Sequence, residues 1–321
     1  MRLLIRQGVA LAGLTALEAI RQPIVMLLAT AALAFTGLMP ILFTHTLGEG
    51  DRLVRDSALA LQFVSGLVLG VLMACTALRA ELRSGTASAV LSKPVARPLF
   101  FLGKFAGLAL VMLGFSFLMS IATVLATRTV TEPYIHDWWG SGPLLVALLL
   151  ALLAGGLQNY LLRRPFVSRA FGALLVLLPL ALVVSGFQPG AMESTTWGAA
   201  LPLDLAPASA LIALAILLLM GLALALATRL DTVPALVTCS VIFLLGLMAD
   251  YLFGRRAAEH RLFALLDGLT PNFQHFWAAD ALAGDGLPWT YVGRAAAYTA
   301  LYLAGILAAG IFAFRRMELR G

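Results

Sequence analysis

The amino-acid sequence predicts an all-α protein, a polytopic bundle of helices embedded in a membrane. Of its 321 residues, 61% are hydrophobic and only 12% are charged, whereas soluble domains carry about 25% charged residues. The apolar residues form runs of about 20, the length that a helix needs to cross the hydrocarbon core of a bilayer. A helix also satisfies its own backbone hydrogen bonds inside lipid. We therefore expect a single transmembrane domain over residues 1–321.

The first 22 residues, MRLLIRQGVALAGLTALEAIRQ, form an apolar run with charges at both ends. Arg2 and Arg6 stand one helical turn apart, and Glu18 and Arg21 close the run. A cleaved signal peptide is the alternative, but the run contains no convincing cleavage site and leads directly into a full span. The pattern favours an interfacial helix at the start of the chain.

Eight apolar runs follow, and Lys, Arg and Glu are absent from them apart from Arg294 near one end. The fifth run is short and contains Pro179, so the pattern leaves open a tilted, broken or re-entrant helix. About eight spans are expected, with six or seven as the alternatives. The predicted spans are residues 23–44, 57–78, 105–126, 143–162, 170–187, 208–227, 234–253 and 291–314.

The basic residues predict the orientation, because cytoplasmic segments of membrane proteins collect Lys and Arg. With a cytoplasmic N-terminus, 15 of the 22 basic residues but only 4 of the 16 acidic residues lie inside. We expect a multi-pass protein of a prokaryotic cell membrane, inner or plasma, with both termini cytoplasmic. The arginines of GRRAAEHR at 254–261 are the exception. The inner segments are residues 1–22, 79–104, 163–169, 228–233 and 315–321.

Two aromatic segments fall on the outer side in this topology. EPYIHDWWGSG at 132–142 is typical of an aromatic belt at the lipid headgroups, with a substrate-contacting loop as the alternative. The outer segment, residues 254–290, contains LTPNFQHFWAADAL at 269–282, which predicts a short amphipathic helix on the outer surface. The alternative is an outer gate above a transport path, formed by Phe273, His275, Trp277 and Asp280.

Residues suited to catalysis or metal binding are scarce. Cys75 and Cys239 lie inside apolar runs and are expected to be buried, with no metal-ligand spacing. The Gly103-Lys104 pair is not a phosphate-binding loop, because Pro98 stands where that motif needs glycine. The basic residues are scattered, which argues against nucleic acid as a partner. We expect no metal and no cofactor in this chain. An intramembrane enzyme using His136 with Asp137, or His275 with Asp280, is a weaker alternative.

The longest basic connection, residues 79–104, lies between the second and third spans on the inner side. Residues 80–91 are expected to form a short helix, which Ser92-Lys93-Pro94 ends because proline disfavours helix at the preceding residue. Such a helix suits a groove on a cytoplasmic protein. A basic loop held at anionic lipid explains the residues equally well.

The sequence from Glu81 to Phe105, ELRSGTASAVLSKPVARPLFFLGKF, resembles the same connection in type-2 permeases of ATP-binding-cassette (ABC) transporters, including the nitrous-oxide-reductase maturation group. The shared features are the acidic residue, the Gly-Thr pair, the Leu-Ser-x-Pro turn, the following arginine and the Gly-Lys pair. The segments ALEAIRQP and FRRMELRG, near the two ends of the chain, are also similar to that family.

The resemblance implies a permease subunit with a six-helix core plus two added middle helices. Its partners would be a second copy or a related permease and two cytoplasmic ATPase subunits, which hold ATP and Mg. Residues 79–104 would be the coupling segment that contacts the ATPase, and family analogy implies export. A membrane anchor or assembly scaffold that moves nothing is the alternative. The contact residues implied are Glu81, Arg83, Gly85, Thr86, Lys93, Pro94 and Arg97.

Overall fold

The computed structural model describes residues 2–43, 49–83, 96–128, 137–188, 196–256, 260–277 and 286–315, with only the backbone at residues 2, 3 and 80–83. Across these residues the chain is helical and contains no β-strand. The α-helices are α1 Arg2–Ile20, α2 Pro23–Leu42, α3 Gly50–Arg83, α4 Arg97–Arg128, α5 Trp138–Leu162, α6 Phe166–Gly186, α7 Ala206–Leu226, α8 Thr232–Leu247, α9 Ala249–Leu252, α10 Arg261–Leu269 and α11 Trp289–Arg315.

The predicted fold class is confirmed: the chain is an all-α polytopic helix bundle. Seven helices are long and apolar enough to cross a membrane, and the bent pair of α8 and α9 is an eighth candidate. The protein is therefore a multi-pass membrane protein. The predicted fifth span is one continuous helix, α6, which passes through Pro179 without a break.

Three helices, α3, α4 and α7, form the centre of the bundle. In each of them 67% of the most apolar stretch is buried, against 28% in α6 and 22% in α11. Small residues, Gly66 and Gly70, let α3 and α7 pack closely. A Cβ on Gly66 would overlap the Ile216 side chain, and one on Gly70 would lie 3.3 Å from Cβ of Met220.

Helices α5 and α6 form a hairpin at the edge of the bundle. They pack tightly on each other, since a Cβ on Gly155 would lie 2.7 Å from Cβ of Ala170. The hairpin contacts α2 and α4 on one side. Its other side exposes large apolar side chains, as expected of helices that face lipid. They include Val146, Leu149, Leu153, Leu157, Val176, Leu180 and Val183.

The predicted seventh span, residues 234–253, is wrong as a single helix. The chain bends by 66° between α8 and α9. Gly246, just before the bend, has no side chain, and a Cβ there would overlap the Phe273 ring and the Pro271 carbonyl oxygen. The returning outer segment therefore packs directly against α8 at the glycine that precedes the bend.

The amphipathic helix predicted at 269–282 is also misplaced. The structure has α10 at Arg261–Leu269 and a 3-10 turn at Phe273–Phe276, and residues 278–285 lie outside the described part. Pro271 follows the end of α10 closely, and helices usually end before proline. The outer segment thus contains a surface helix eight residues earlier than the pattern predicts.

Candidate functional site

The candidate site is the end of the bundle where α3 and α4 lead into the predicted coupling segment. At 1.5 Å per residue, α3 with 34 residues and α4 with 32 are each about 50 Å long. A hydrocarbon core is only about 30 Å thick. Because the apolar run of α4 begins at Phe105, residues 97–104 extend the helix beyond that run. Both helices therefore extend beyond the apolar layer at this end of the bundle.

The end of α3 is held by two other helices. The Arg79 guanidinium donates a hydrogen bond to the carboxylate of Asp231, the residue that precedes α8. One turn earlier, the Thr76 hydroxyl donates to the side-chain oxygen of Gln22 at 3.1 Å, just before α2. The side chain of Arg79 is 23% exposed and that of Asp231 is 65% exposed. Movement of this end of α3 would therefore act on the first turn of α8.

The start of α4 is held by the last turn of α11. Arg97 donates from Nη1 to the carbonyl oxygen of Arg315 at 2.9 Å. The rings of Phe100 and Phe314, both buried, stack with their centroids 5.8 Å apart. Phe101 packs where Gly310 leaves space, since a Cβ on that glycine would lie 2.6 Å from its ring. The end of α3 and the start of α4 thus both contact the C-terminal half of the chain.

Helix α1 lies lengthwise against the start of α4. Cβ of Leu11 would lie 2.8 Å from a Cβ on Gly103, and a Cβ on Gly107 would overlap the Ala12 carbonyl oxygen. These two glycines therefore let α1 approach the backbone of α4 closely. The free face of α1 carries large apolar side chains together with the exposed Arg6 and Glu18, which fits the predicted interfacial helix. Its exposed side chains include Leu4, Ile5, Val9, Leu14 and Leu17.

Lys104 is almost fully buried under α1, with 2% exposure. Its Nζ lies 3.4 Å from Oε2 of Glu18 and 5.8 Å from the centroid of the Phe100 ring. The pair links the last turn of α1 to the mouth of the third span. From the sequence, Glu18 is only a charge near the end of an apolar run, so its partner was not predicted.

Only some of the residues implied to contact the ATPase lie in the described part of the chain. Glu81 and Arg83 lie in the last turn of α3, where the backbone is described and the side chains are not. The helix expected to begin at residue 80 instead continues α3 without a break. Arg97 contacts α11. The implied residues Gly85, Thr86, Lys93 and Pro94 lie outside the described residues.

Of the residues predicted for the outer gate, one is buried and two are exposed. Phe273 is 1% exposed and lies 5.3 Å from the Phe243 ring of α8, centroid to centroid. His275 and Trp277 are exposed, although the His275 ring lies 5.3 Å from the ring of Tyr298 in α11. Asp280 lies outside the described residues. The structure thus makes Phe273 a packing residue between α8 and the outer segment.

An apolar groove of about 340 Å³ opens beside Trp277, between α3 and α8. Its lining contains no polar surface, so it suits an apolar group and offers no hydrogen bond to orient a ligand. Its lining residues are Ala60, Phe63, Val64, Phe243, Leu247 and Trp277.

At the opposite end of α4, a buried arginine joins three segments. Arg128 is 1% exposed, and its Nε lies 2.8 Å from Oδ2 of Asp137. Its other nitrogens donate to the carbonyl oxygens of Ser185 and, at 3.3 Å, of Gln188, at the end of α6. The other Asp137 oxygen accepts from the Trp139 amide at 2.9 Å, which caps α5. We call these five residues the Arg128 cluster.

Of the residues in the weaker enzyme hypothesis, Asp137 and His275 lie in the described part of the chain. Within the described residues, no group of three or more His, Cys, Asp or Glu could hold a metal ion. Asp137 belongs to the Arg128 cluster, whereas His136 and Asp280 lie outside the described part. Cys75 and Cys239 are buried free thiols, as predicted. Trp138 and Trp139 are exposed at the start of α5, as an aromatic belt requires.

A buried polar pair inside the bundle is a further feature that the sequence analysis missed. Gln62 of α3 is 0% exposed and donates to the Ser209 carbonyl oxygen at 3.1 Å. The Ser209 hydroxyl donates back to the Gln62 side-chain oxygen at 2.7 Å. Each partner satisfies the other, so the pair holds α3 against α7 and offers no free group for a ligand.

Comparison with known proteins identifies no relative of this chain. The chain matches no protein-family model, no curated protein and no solved structure.

Proposed function

We propose that the chain is the permease subunit of an ABC transporter and that residues 79–104 receive the movement of a separate cytoplasmic ATPase. The observation that carries the proposal is that the end of α3 and the start of α4, which flank residues 84–96, both contact the C-terminal half. Arg79 contacts Asp231 before α8, and Arg97 contacts Arg315 at the end of α11. A force applied to the segment would therefore reach α8 and α11 directly, which a simple anchor does not need.

The resemblance of residues 81–105 to type-2 permeases supplies the nature of the partner. ATP and Mg would be held by the ATPase, and a second permease copy or a related permease would complete the transporter in the cell membrane, with both termini cytoplasmic. Export is proposed by the same analogy. The apolar groove between α3 and α8 favours an amphipathic or lipid-like cargo over a small ion, since its lining is wholly apolar.

The first prediction concerns association with the ATPase. The double variant Glu81→Arg/Arg83→Glu should weaken co-purification of a nucleotide-hydrolysing subunit by about tenfold, because opposite charges across an interface set its affinity and register. The measurement is pull-down of the full chain from mild detergent, with the captured ATPase identified by mass spectrometry and by its activity. The control is Arg52→Glu/Asp56→Arg, a charge reversal near the other end of α3.

Replacement of residues 84–95 by a Gly/Ser linker of equal length is the stricter test. If the ATPase still associates and is still stimulated by this variant, the proposed function is wrong. If the ATPase associates with the wild-type protein but transport is absent for every cargo class, the scaffold alternative replaces it.

The second prediction concerns transmission through α8. Arg79→Glu and Asp231→Arg, made separately, should each change the ATPase rate of the reconstituted complex by two- to fivefold, and the double variant should restore it. This size follows from the roughly 0.5–1 kcal/mol expected of a partly exposed ion pair. Arg52→Glu, in an exposed pair of the same helix, is the matched control. Equal rates in both single variants and the wild type would rule out this route.

A further inference from the structure

The turn between α5 and α6 concentrates positive charge. Residues 163–169, with the sequence RRPFVSR, contain Arg163, Arg164 and Arg169, and all three are exposed. Among the described residues, no carboxylate forms an ion pair with any of them. We call this segment the basic turn. Its charge is therefore available to an anion from outside the chain.

Four hydrogen bonds to backbone carbonyl oxygens order the basic turn. Arg163 adopts a left-handed conformation with φ of 50°. The amides of Arg163 and Arg164 both donate to the Gln158 carbonyl oxygen, the latter at 3.3 Å. The Asn159 side chain donates to the Arg164 carbonyl oxygen at 2.7 Å, and the Ser168 hydroxyl to that of Pro165 at 3.2 Å. A fixed backbone reduces the ordering cost of binding.

Exposed apolar side chains flank the arginines. Tyr160 is 84% exposed, and Leu161 and Leu162 are 63% and 64% exposed. On the other side of the turn, Phe166 is 37% exposed. Both α5 and α6 are long enough to span, so the turn that joins them lies where the helices leave the hydrocarbon core. Guanidinium groups at headgroup depth and apolar groups below them match the two parts of a phospholipid.

We propose that the basic turn binds the phosphate group of an anionic membrane lipid. Arg163, Arg164 and Arg169 bind the headgroup, since guanidinium groups pair with phosphate oxygens in bidentate geometry. Tyr160 and Leu161 contact the acyl chains. Free phosphate would leave these apolar groups without a role, which is why the occupant is a lipid. The inference concerns the edge hairpin and does not rest on the proposed transport function.

The test measures lipid binding to the delipidated full chain in detergent by native mass spectrometry. Dioleoyl phosphatidylglycerol should bind more tightly than dioleoyl phosphatidylcholine. The triple variant R163Q/R164Q/R169Q should lose at least about tenfold in affinity for phosphatidylglycerol, since each arginine near an anionic surface contributes about fivefold. R163K/R164K/R169K keeps the charge but loses the bidentate geometry, so its affinity should lie between those of the wild type and of the glutamine variant. Should the triple variant fail to fold, Arg169→Gln alone should lose about fivefold.

The matched control is R255Q/R256Q/R261Q, which removes the same charge from the outer segment. These arginines lie at the opposite end of the chain's spans in the predicted topology, and two of them rest on the rings of Tyr251 and Phe263. Its affinity for phosphatidylglycerol should stay within about twofold of the wild type. Equal losses in both triple variants would overturn the proposal, as would equal binding of the two lipids. Displacement of phosphatidylglycerol by inorganic phosphate alone would reassign the turn to free phosphate and overturn the lipid assignment.

Discussion

Arg128→Met is expected to lower the free energy of unfolding by about 3 kcal/mol. The Arg128 side chain is 1% exposed and donates to a carboxylate and to two backbone carbonyl oxygens. Methionine fills similar volume but leaves these acceptors without their donor. The loss lies at the lower end of the range for a broken buried ion pair, because Asp137 remains 27% exposed to water.

Thermal unfolding of the purified protein in one detergent is the measurement. Arg52→Met is the matched control, since Arg52 is 60% exposed and lies 3.8 Å from Asp56. That substitution should change stability by less than about 1 kcal/mol, as is usual for surface ion pairs. The Arg128 cluster would have no stabilising role if both variants unfolded at the same temperature.

The double variant Arg128→Met/Asp137→Leu distinguishes the cost of an unpaired carboxylate from the cost of the lost hydrogen bonds. Removing both charges leaves no unpaired carboxylate, so the double variant should be more stable than Arg128→Met alone. Its stability should remain below that of the wild type, because the carbonyl oxygens of Ser185 and Gln188 still lack a donor and α5 loses its cap. A double variant less stable than the single one would show that Asp137 matters mainly through its cap.

The spans could be predicted because hydrophobicity is a property of contiguous residues. The predicted span at 143–162 and helix α5 both end at Leu162, and the predicted first span and α2 both begin at Pro23. Both boundaries coincide with a change from apolar to polar sequence. The starts of α3 and α4 were placed seven and eight residues late, since their polar ends continue the helix beyond the apolar run.

The Arg128 cluster could not be predicted because its members are distant in sequence. Ser185 follows Arg128 by 57 residues, and the hairpin of α5 and α6 must form before the two meet. In the sequence Arg128 is an ordinary charge at the end of an apolar run. The best indication in the sequence was that one arginine, Arg128, follows the third predicted span and one aspartate, Asp137, precedes the fourth.

The bend after α8 could not be predicted for the same reason, because it involves contacts between residues that are distant in sequence. Residues 234–253 form a continuous apolar run, so composition predicts one straight helix. The returning Phe273 packs against Gly246 and Phe243, and this contact depends on residues that follow the run by about 20 positions. The sequence analysis placed the same ring in an amphipathic surface helix, with an outer gate as the alternative, because polar residues surround it in the sequence. Tertiary packing therefore decides both the shape of α8 and the burial of Phe273.

The contact between α1 and α4 leads to a prediction in which two glycine substitutions have opposite signs. Gly107→Ala should lower the free energy of unfolding by about 2–3 kcal/mol, because a Cβ at this position overlaps the Ala12 carbonyl oxygen and lies 2.7 Å from Cβ of Thr15. Neither backbone can yield without separating α1 from α4. The Lys104–Glu18 contact at 3.4 Å should be lost with it.

Gly156→Ala, in the middle of α5, is the matched control. A Cβ on Gly156 meets nothing within 4 Å. Alanine is the better helix former, so this variant should be more stable than the wild type by up to about 1 kcal/mol. Thermal unfolding of the two variants in the same detergent tests the pair. Stabilisation by both substitutions would mean that α1 does not pack against Gly107, and the burial of Lys104 would then need another cause. If Gly107→Ala destabilises the protein and Gly156→Ala stabilises it, α1 packs on α4 at Gly107, because a steric contact is what reverses the helix preference for alanine.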